Sequence, residues 1–362
     1  MSPSPDAVEA VSQRLNNFLS AQRAATADLG PEARLLVEAG ATALDGGKRL
    51  RGRFCIAGWR AVEEVARTSP APPPEVVAAA AALEIFHAAA LVHDDVIDNS
   101  DTRRGRPAAH RALEAAHRSH EWAGDAAAFG RSGAVLLGDL LVAWSDDLLE
   151  EGLAAASAPD AATARTEYAT MRREVTIGQF LDIAEESAYV TEPDEKHAER
   201  ALRVASLKSA RYSIQQPLAV GAALAGADAA QQAALAAFGH PVGMAFQLRD
   251  DVLGMFGNPL ETGKPACDDL RDGKHTLLVT RALVLTTESG RRLVREALGS
   301  PDVDEVIAQR CRDVIAASGA LASVEAAIDT AIDRALEALT VLGAATCETL
   351  TDLALFAAYR DR

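Results

Sequence analysis

Aromatic residues are scarce in this chain, at only 4% of its 362 positions. Hydrophobic residues nevertheless make up 49% of the sequence, so alanine, leucine and valine must fill most of the core. Alanine and leucine are strong helix formers. Asn-Gly and Asp-Gly turns between alternating apolar runs, which mark β-hairpins, are also lacking. The composition therefore predicts an all-α protein.

Cysteine motifs and long apolar runs are lacking as well. The four cysteines lie far apart and form no CxxC pair, so we expect free thiols in a reducing compartment and not a zinc site. The first residues, MSPSPDAVEAVSQ, do not have the basic start and apolar run of a signal peptide. No run of about 18 apolar residues is free of charge, as a membrane-spanning helix requires. We expect a cytoplasmic protein without a membrane span.

Basic residues are outnumbered by acidic ones, and the formal net charge is −16. Such a surface repels the phosphates of nucleic acids and the headgroups of anionic lipids, so both kinds of partner are disfavoured. An anionic substrate would need a locally basic pocket. The positions of lysine and arginine are therefore more informative than their number.

Helical periodicity runs through the whole chain. In the segment 8–29, Val11, Leu15 and Phe18 recur at the spacing of one helix face. Further stretches long enough for helices are 76–97, 133–150, 165–190, 199–226, 231–256, 275–288, 303–317 and 320–358. A loop is predicted around Gly124, Gly130 and Gly133. Because no long linker separates the stretches, we predict one domain, 1–362, built as a single large helical bundle.

An Asp-rich segment ends the helix predicted from residue 76. Asp94 and Asp98 are four residues apart, so their side chains lie on one helix face, where two carboxylates repel each other. A bound cation would remove that repulsion, and paired hard oxygen ligands suit Mg²⁺. Alone, this DDxxD pattern also fits a solvated acidic helix end. Arg103, Arg104 and Arg106 follow directly, however, and guanidinium groups bind phosphate oxygens bidentately.

A second Asp-rich segment repeats this layout further along the chain. Asp250 and Asp251 end a predicted helix, and basic residues follow in a loop that contains Lys264 and Lys274. Two carboxylate-bearing helices of this kind are able to hold Mg²⁺ ions around one diphosphate. The recurrence is stronger support for a metal site than either segment alone.

Three further basic positions fit an anionic ligand. The segment 46–51, GGKRLR, predicts a helix start with cations in its first turns, which oppose the helix dipole unless an anion is bound there. His87 lies on the same predicted helix as Asp94, although a lone histidine among alanines is usually a core residue. Lys208 lies among small or apolar residues, and a buried lysine needs a partner such as a diphosphate.

Together these segments resemble the trans-isoprenyl diphosphate synthases, the polyprenyl synthetase family, and most of all bacterial geranylgeranyl diphosphate synthases. The motifs GGKRLR, HDDVIDNSDTRRGRP, GQFLD, KSA, FQLRDDVLG, GKP and DGK stand in the family's order between residues 46 and 274. The resemblance implies an all-α bundle around a deep central cavity, a homodimer and three Mg²⁺ ions. Two positions depart from the family. Gly254 stands where many members have Asp, and Ser209 where Thr is common.

The resemblance also implies roles for individual residues. Metal binding is implied for Asp94, Asp98 and Asp250, with Asp95 and Asp251 beside them and Asp269 as outer support. Contacts with the allylic diphosphate are implied for Arg103, Lys208, Lys264 and Lys274. Contacts with isopentenyl diphosphate are implied for Lys48, Arg51, His87 and Arg104. Gln247 and Ser209 would lie near the developing allylic cation, with Gln179 and Asp182 on the same wall. The residues expected to act in catalysis are Lys208, Gln247, Ser209 and Arg103.

The implied reaction is the head-to-tail (1′-4) condensation of isopentenyl diphosphate with an allylic diphosphate, in the trans configuration. Metal and cations stabilise the leaving diphosphate, and the double bond of isopentenyl diphosphate attacks the allylic cation. Two alternatives share the Asp-rich segments. A class I terpene cyclase would not need an isopentenyl diphosphate site, and a non-catalytic subunit of a heteromeric prenyl synthase would typically have lost one Asp motif.

Product length depends in the family on the helix that precedes the first Asp motif. The small residues Ala89 and Ala90 predict a deep cavity floor, and Phe86 lies on about the same face one turn lower. We therefore predict a geranylgeranyl product. The alternative is that both alanines only allow close helix packing and that other helices limit the product.

Overall fold

The computed structural model describes residues 5–62, 71–257, 267–300, 302–339 and 344–360. The first helices are α1 (Pro5–Ala25), α2 (Pro31–Leu44), α3 (Leu50–Val62), α4 (Pro74–Ile97), α5 (Ala109–Ser119) and α6 (Ala126–Leu153). Between α4 and α5, a short antiparallel hairpin pairs β1 (Thr102–Arg103) with β2 (Arg106–Pro107).

The later part of the described chain is also helical. Its first helices are α7 (Ala158–Ala188), α8 (Asp194–Val204), a π-helix (Ala205–Gln215), α9 (Gln216–Leu224) and α10 (Ala229–Phe256). The remaining helices are α11 (Asp268–Arg271), α12 (Leu277–Leu285), α13 (Glu288–Ala297), α14 (Glu305–Ala317), α15 (Ala320–Ala338) and α16 (Ala344–Ala358). Short 3₁₀ turns cover Ala27–Leu29 and Tyr189–Thr191. The predicted all-α class is confirmed.

Two compact units divide the chain. Unit 1 contains Met1–Arg165 and Val220–Ala227, and its central helix is α4, which packs against α1, α3 and α6. Every residue of α4 from Ala78 to Phe86 is buried. A helix that is apolar on all sides is suited to such a central position. The Asp-rich segment at its end therefore projects from the best-packed element of this unit.

Unit 2 contains Thr166–Ala219 and Asp228–Arg362. Its central helix is α10, which packs against the π-helix, α15 and α16. A capping box formed by Asp228 and Gln231 starts α10, because each residue satisfies the other's backbone N–H. The second Asp-rich segment lies at the other end of this helix. The prediction of one domain stays a prediction.

Several helix boundaries differ from the sequence-based expectation. Gly130 and Gly133 lie inside α6 and not in a loop. A Cβ at residue 130 would overlap the carbonyl oxygen of His110 on α5, so this glycine permits close helix packing. The stretch 199–226, predicted as one helix, is divided by the π-helix, and 320–358 contains two helices, α15 and α16.

Among the described residues, two helices are long and apolar enough to cross a membrane, judged by length and composition alone. In α4, 78% of the most apolar window is buried inside the protein, whereas in α6 the buried share is 28%. A pair bent by 63°, α14 with α15, passes the same test if it is counted as one span. The expected absence of a membrane span therefore stays a prediction.

Candidate active site

The first Asp-rich segment forms the last turn of α4. The backbone N–H of Asp98 caps the helix by donating to the carbonyl of Asp94 at 2.8 Å. The two side chains therefore lie one turn apart on one face, as the spacing predicts. Both residues are half-buried, which leaves this pair of carboxylates accessible to a small cation.

The hairpin after α4 places Arg103 on Asp95. Nε of Arg103 donates to Oδ1 of Asp95 at 2.9 Å, and Nη2 lies 3.5 Å from Oδ2 of Asp94. The Asp95 side chain is only 4% exposed. This charge-assisted contact, in which both partners are largely buried, holds Arg103 at the edge of the acid pair. Asp95 thus acts as a buried partner of Arg103 and leaves Asp94 and Asp98 as the accessible acids.

His93, which the sequence analysis did not single out, packs against Gly138 of α6. A Cβ at residue 138 would overlap the imidazole ring, so glycine is needed there. Nε2 of His93 lies 3.2 Å from the carbonyl oxygen of Val135 and 3.5 Å from a carboxylate oxygen of Asp139. Because His93 directly precedes Asp94, this contact fixes the orientation of the last turn of α4.

The basic segment 46–51 is mostly a loop. Helix α3 begins at Leu50, so Lys48 and Arg49 precede the helix, contrary to the expected helix start. Gly46 and Gly47 have positive φ values of 72° and 88°, a conformation that glycine adopts without strain.

Arg104 completes the basic cluster. Its Nη1 lies 3.1 Å from the position that a Cβ would take at residue 47, so the guanidinium lies directly over Gly47. Lys48 is exposed, and Arg51 is buried at the start of α3. The structure thus brings the loop 46–49 and the hairpin arginine together, as an anion site requires.

His87 lies within this positive region. Burial, followed by the charges of Arg51, Arg104, Arg103 and Arg49, holds the pKa of His87 well below its usual value. The imidazole is therefore neutral in the protein without a bound anion. A diphosphate beside these cations would oppose their field and favour the protonated form.

The three residues predicted to control product length lie on α4. Phe86 and Ala89 are buried, and Ala90 is half-buried. The phenylalanine is one turn before the alanines, as predicted. Their burial agrees equally with a cavity floor and with close helix packing.

The second Asp-rich segment lies near the end of α10. The side chain of Asp250 is 44% exposed, whereas Asp251 is buried. Burial, and after it the charge of Asp269, raises the pKa of Asp251 well above its usual value. The amide Nε2 of Gln247 donates to Oδ1 of Asp251 at 2.7 Å, which holds Gln247 on the acid.

Gly254 makes room for an acid from another part of the chain. The N–H of Cys267 donates to the carbonyl of Gly254 at 3.1 Å and ties α11 to the end of α10. A Cβ at residue 254 would overlap Oδ2 of Asp269. The carboxylate of Asp269 therefore occupies the space beside residue 254 in which the third acid of a DDxxD motif would begin.

Lys208 and Ser209 lie in the π-helix, a rare form that is frequent at functional sites. Nζ of Lys208 donates to Oδ2 of Asp182 on α7 at 2.5 Å. Gly178 makes this possible, because a Cβ there would overlap the backbone of Lys208. Gln179, half-buried, follows directly. The structure thus brings Lys208 and Asp182 into contact, with Ser209 next to the lysine on the π-helix.

Lys274 and Lys264 are the other two lysines that were predicted to bind the allylic diphosphate. Lys274 is half-buried, and its Nζ lies 3.6 Å from Oδ2 of Asp272. The prediction for Lys264 lies outside the described residues.

Two arginines of unit 2 were missed from the sequence. Arg360 forms an ion pair with Asp250, and Arg249 forms one with Glu325 on α15. No sequence motif signals the first contact, because 110 residues separate its partners. Arg249 is part of the motif FQLRDD, and its positive charge next to two acids was the sequence feature that could have pointed to it.

The donor chemistry fits a hard cation shared with a substrate. Within the described parts of the chain, no group of three or more His, Cys, Asp or Glu side chains could hold a metal ion. Mg²⁺ is usually bound by one or two carboxylates and completes its shell with water and substrate phosphates. The acid pair Asp94 and Asp98 on α4 has that composition.

Comparisons with known proteins place the chain in a family. The sequence profile of the polyprenyl synthetase family matches residues 33–315. Geranylfarnesyl diphosphate synthase of Aeropyrum pernix is 30% identical over 308 residues, which cover 84% of this chain and 86% of that protein. The (2E,6E)-farnesyl diphosphate synthase of Mycobacterium tuberculosis is 35% identical over 63% of this chain and 56% of its own length. The chain belongs to the polyprenyl synthetase family.

A solved structure agrees over nearly the whole length. Geranylgeranyl pyrophosphate synthase of Corynebacterium glutamicum, in complex with isoprenyl diphosphate and magnesium, is 38% identical with a TM-score of 0.90. The match covers 97% of this chain and 98% of that one. The predicted resemblance and isoprenoid synthase fold are confirmed. These relatives make products of different lengths, so they do not determine which product this chain makes.

Proposed function

We propose that this protein is a magnesium-dependent trans-prenyltransferase that condenses isopentenyl diphosphate with an allylic diphosphate. The observation that carries the proposal is the acid pair Asp94 and Asp98 on one turn of α4, beside a cluster of cations, in a member of the polyprenyl synthetase family. The magnesium and isoprenyl diphosphate in the structure of the Corynebacterium glutamicum relative support both ligands.

The carboxylates of Asp94, Asp98 and Asp250 would hold the metal. Magnesium, when bound, supplies positive charge that makes diphosphate a better leaving group. On the protein side, Lys208 and Arg103 would bind the same diphosphate. Each is held by an acid in the absence of substrate, by Asp182 and Asp95 respectively. Both cations are thus already positioned when the diphosphate arrives, which avoids the cost of reorganisation.

The second substrate would bind at the basic cluster. Arg104 lies over Gly47, which Lys48 follows in the chain, and the charge of Arg51 acts on Arg104. These three cations would provide charge for the diphosphate of isopentenyl diphosphate. His87 would add a proton-dependent contact. The reaction breaks the allylic C–O bond and forms a C–C bond with the double bond of isopentenyl diphosphate. A proton then leaves to the departing diphosphate.

Geranylgeranyl diphosphate is the product that we propose. Buried Phe86 would close the cavity one turn below Ala89 and Ala90. The experiment is to supply the purified protein with Mg²⁺, isopentenyl diphosphate and each allylic starter in turn, and to measure the chain length of the dephosphorylated product. A twenty-carbon alcohol from every accepted starter supports the assignment. Products of fifteen carbons, or of twenty-five and more, leave the enzyme class intact but contradict the Phe86 floor.

Two other results of this experiment would contradict the proposed function itself. A cyclic hydrocarbon released from an allylic diphosphate alone would favour a terpene cyclase. The basic cluster argues against this, because a cyclase has no isopentenyl diphosphate to bind. No product from any starter would favour a non-catalytic subunit, although the leading acids of both motifs are present.

We also propose a cytoplasmic homodimer. Exposed apolar side chains on α6 (Leu136, 61% exposed) and on α7 (Phe180, 68% exposed) would be covered by a second copy. Sedimentation in buffer without detergent tests this proposal. A dimer supports it, whereas a protein that stays soluble only with detergent or lipid would favour membrane contact through these faces.

A further inference from the structure

Arg360 binds the end of α10 beside the second Asp-rich segment. Its Nη2 donates to Oδ1 of Asp250 and also approaches the carbonyl oxygen of Phe246 at 3.3 Å. The guanidinium carbon lies 3.9 Å from the centre of the Phe246 ring, a cation–π contact. The side chain is only 14% exposed, and its Nε is buried without a hydrogen-bond partner. The ion pair with Asp250 and the contact with the Phe246 ring therefore hold Arg360 in this position, although its Nε makes no hydrogen bond.

The neighbouring residues hold the C-terminal segment on the same helix. Nε of Arg249 donates to the carbonyl of Ala358 at 2.9 Å, while its two Nη atoms bind Glu325 at 2.8 and 2.6 Å. The hydroxyl of Tyr359 donates to Asp329 on α15 at 2.7 Å. These hydrogen bonds to Ala358 and Tyr359 fix the backbone just before Arg360. The approach of Arg360 to Asp250 is therefore part of the packing of unit 2.

The surroundings of Asp250 are acidic. Asp251 lies beside it, and the charges of Asp269, Asp250 and Asp182 all act on the buried carboxyl of Asp251. Without a metal, such a group of carboxylates is stabilised by a neighbouring cation, and Arg360 is bound directly to one of them. A divalent cation on Asp250 would lie close to this guanidinium, where two positive charges repel each other.

We propose that Arg360 is the resident counter-ion of Asp250, which neutralises this carboxylate in the metal-free protein and gives way when Mg²⁺ binds. The proposal rests on the proposed role of Asp250 as a metal ligand. It makes the C-terminal residues sensitive to metal loading, because loss of the ion pair removes one of the contacts that hold them on α10.

Calorimetric titration with MgCl₂, in the presence of saturating inorganic diphosphate, tests the competition. Removing a competing cation in R360Q lowers the Mg²⁺ dissociation constant by about threefold to fivefold, the scale of a partly exposed ion pair. R360K keeps a positive charge and stays nearer to the original protein. R334Q removes an exposed arginine of α15 as a matched control and has no effect.

A second background shows whether the effect passes through Asp250. In D250A, the additional change R360Q leaves Mg²⁺ affinity unchanged, because the shared carboxylate is absent. Unchanged or weaker Mg²⁺ binding by R360Q in the original background overturns the proposal; weaker binding would mean that Arg360 orients Asp250 for the metal. If the original protein binds no Mg²⁺ with diphosphate, the metal role of Asp250 fails first, and this inference fails with it.

Hydrogen exchange gives a readout that is independent of affinity. Adding MgCl₂ with inorganic diphosphate should speed amide exchange in the peptide that ends at Arg360, because one anchor of this segment is lost. In R360Q the same peptide exchanges faster before any metal is added. Slower or unchanged exchange on metal addition in the original protein contradicts the proposed displacement.

Discussion

The two Asp-rich segments differ in how far along the chain their supporting residues lie. Asp95 is held by Arg103, which follows after a short turn. The second segment is completed by Asp269, which lies in another helix, and by Arg360 at the C-terminal end of the chain. The first segment therefore depends on local structure, whereas the second depends on the tertiary packing of unit 2. Changes at the two segments should have different consequences.

The largest effect is expected from removing a predicted direct metal ligand. D94A and D98A should lower kcat by about a thousandfold, since metal stabilisation of a developing charge contributes several kcal/mol. D250A should have a similar effect if its role matches that of the first segment. Steady-state kinetics at saturating Mg²⁺ measures both.

The exposed acid Asp147 on α6 provides the matched control. D147A should retain the original kcat, since no metal role is proposed for it. A small loss in D250A with a large loss in D94A would mean that the second segment acts only by binding, and that the two segments are less alike than their sequences suggest.

Changing the acid beside the second Asp-rich segment, Asp269, should have the next largest effect, which is a loss of Mg²⁺ affinity. D269A should weaken Mg²⁺ binding by about 10- to 100-fold, the usual cost of losing a group that supports a metal site. G254D should also weaken binding, because its side chain would overlap the carboxylate of Asp269. The double change G254D/D269A should recover part of the affinity, because it restores one acid to the same space. Titration with MgCl₂ and inorganic diphosphate measures all three.

The variant G254A separates crowding from charge. It introduces the overlapping Cβ without a carboxylate, so it should weaken binding less than G254D does. Wild-type Mg²⁺ affinity in D269A, or no recovery in the double variant, would show that Asp269 does not take the place of the third acid.

The sequence predicted those features that depend on local spacing. The pair Asp94 and Asp98 shares a helix face because four residues make about one turn, and the hairpin arginine follows in the same segment. The helical class followed from composition. Helix boundaries were predicted wrongly where tertiary packing decides them. Gly130 looked like a loop residue, yet it lies inside α6 because His110 approaches closely.

Residues brought together by packing could not be predicted. The contact of Gly254 with Asp269 depends on the backbone bond from Cys267 to Gly254, and the contact of Asp250 with Arg360 spans 110 residues. The stretch 199–226 was read as one ordinary helix, although Ala205–Gln215 form a π-helix. Spacing alone does not encode any of these contacts.

A smaller change, in product and not in rate, is expected on α4. F86A should lengthen the product by at least one five-carbon unit, because it removes the proposed floor beneath Ala89 and Ala90. Truncating a buried phenylalanine also costs about 3–5 kcal/mol of stability, so F238A, at another fully buried position, is the control. F238A should leave product length unchanged. The same length from F86A and the original protein would place the floor elsewhere.

The smallest effect concerns protons at the basic cluster. Because the pKa of His87 is lowered in the folded state, the unfolded chain binds more protons below about pH 6.5, so stability is complete above that pH and falls below it. H87Q should remove this dependence, which is at most about 1.4 kcal/mol per pH unit. Diphosphate binding should also take up a proton near pH 6.5, because the anion offsets the field of Arg51 and Arg104 that keeps the imidazole neutral. Calorimetry in buffers of different ionisation enthalpy measures this uptake, and equal uptake by H87Q would assign it to another group and leave the cluster without a proton-linked contact.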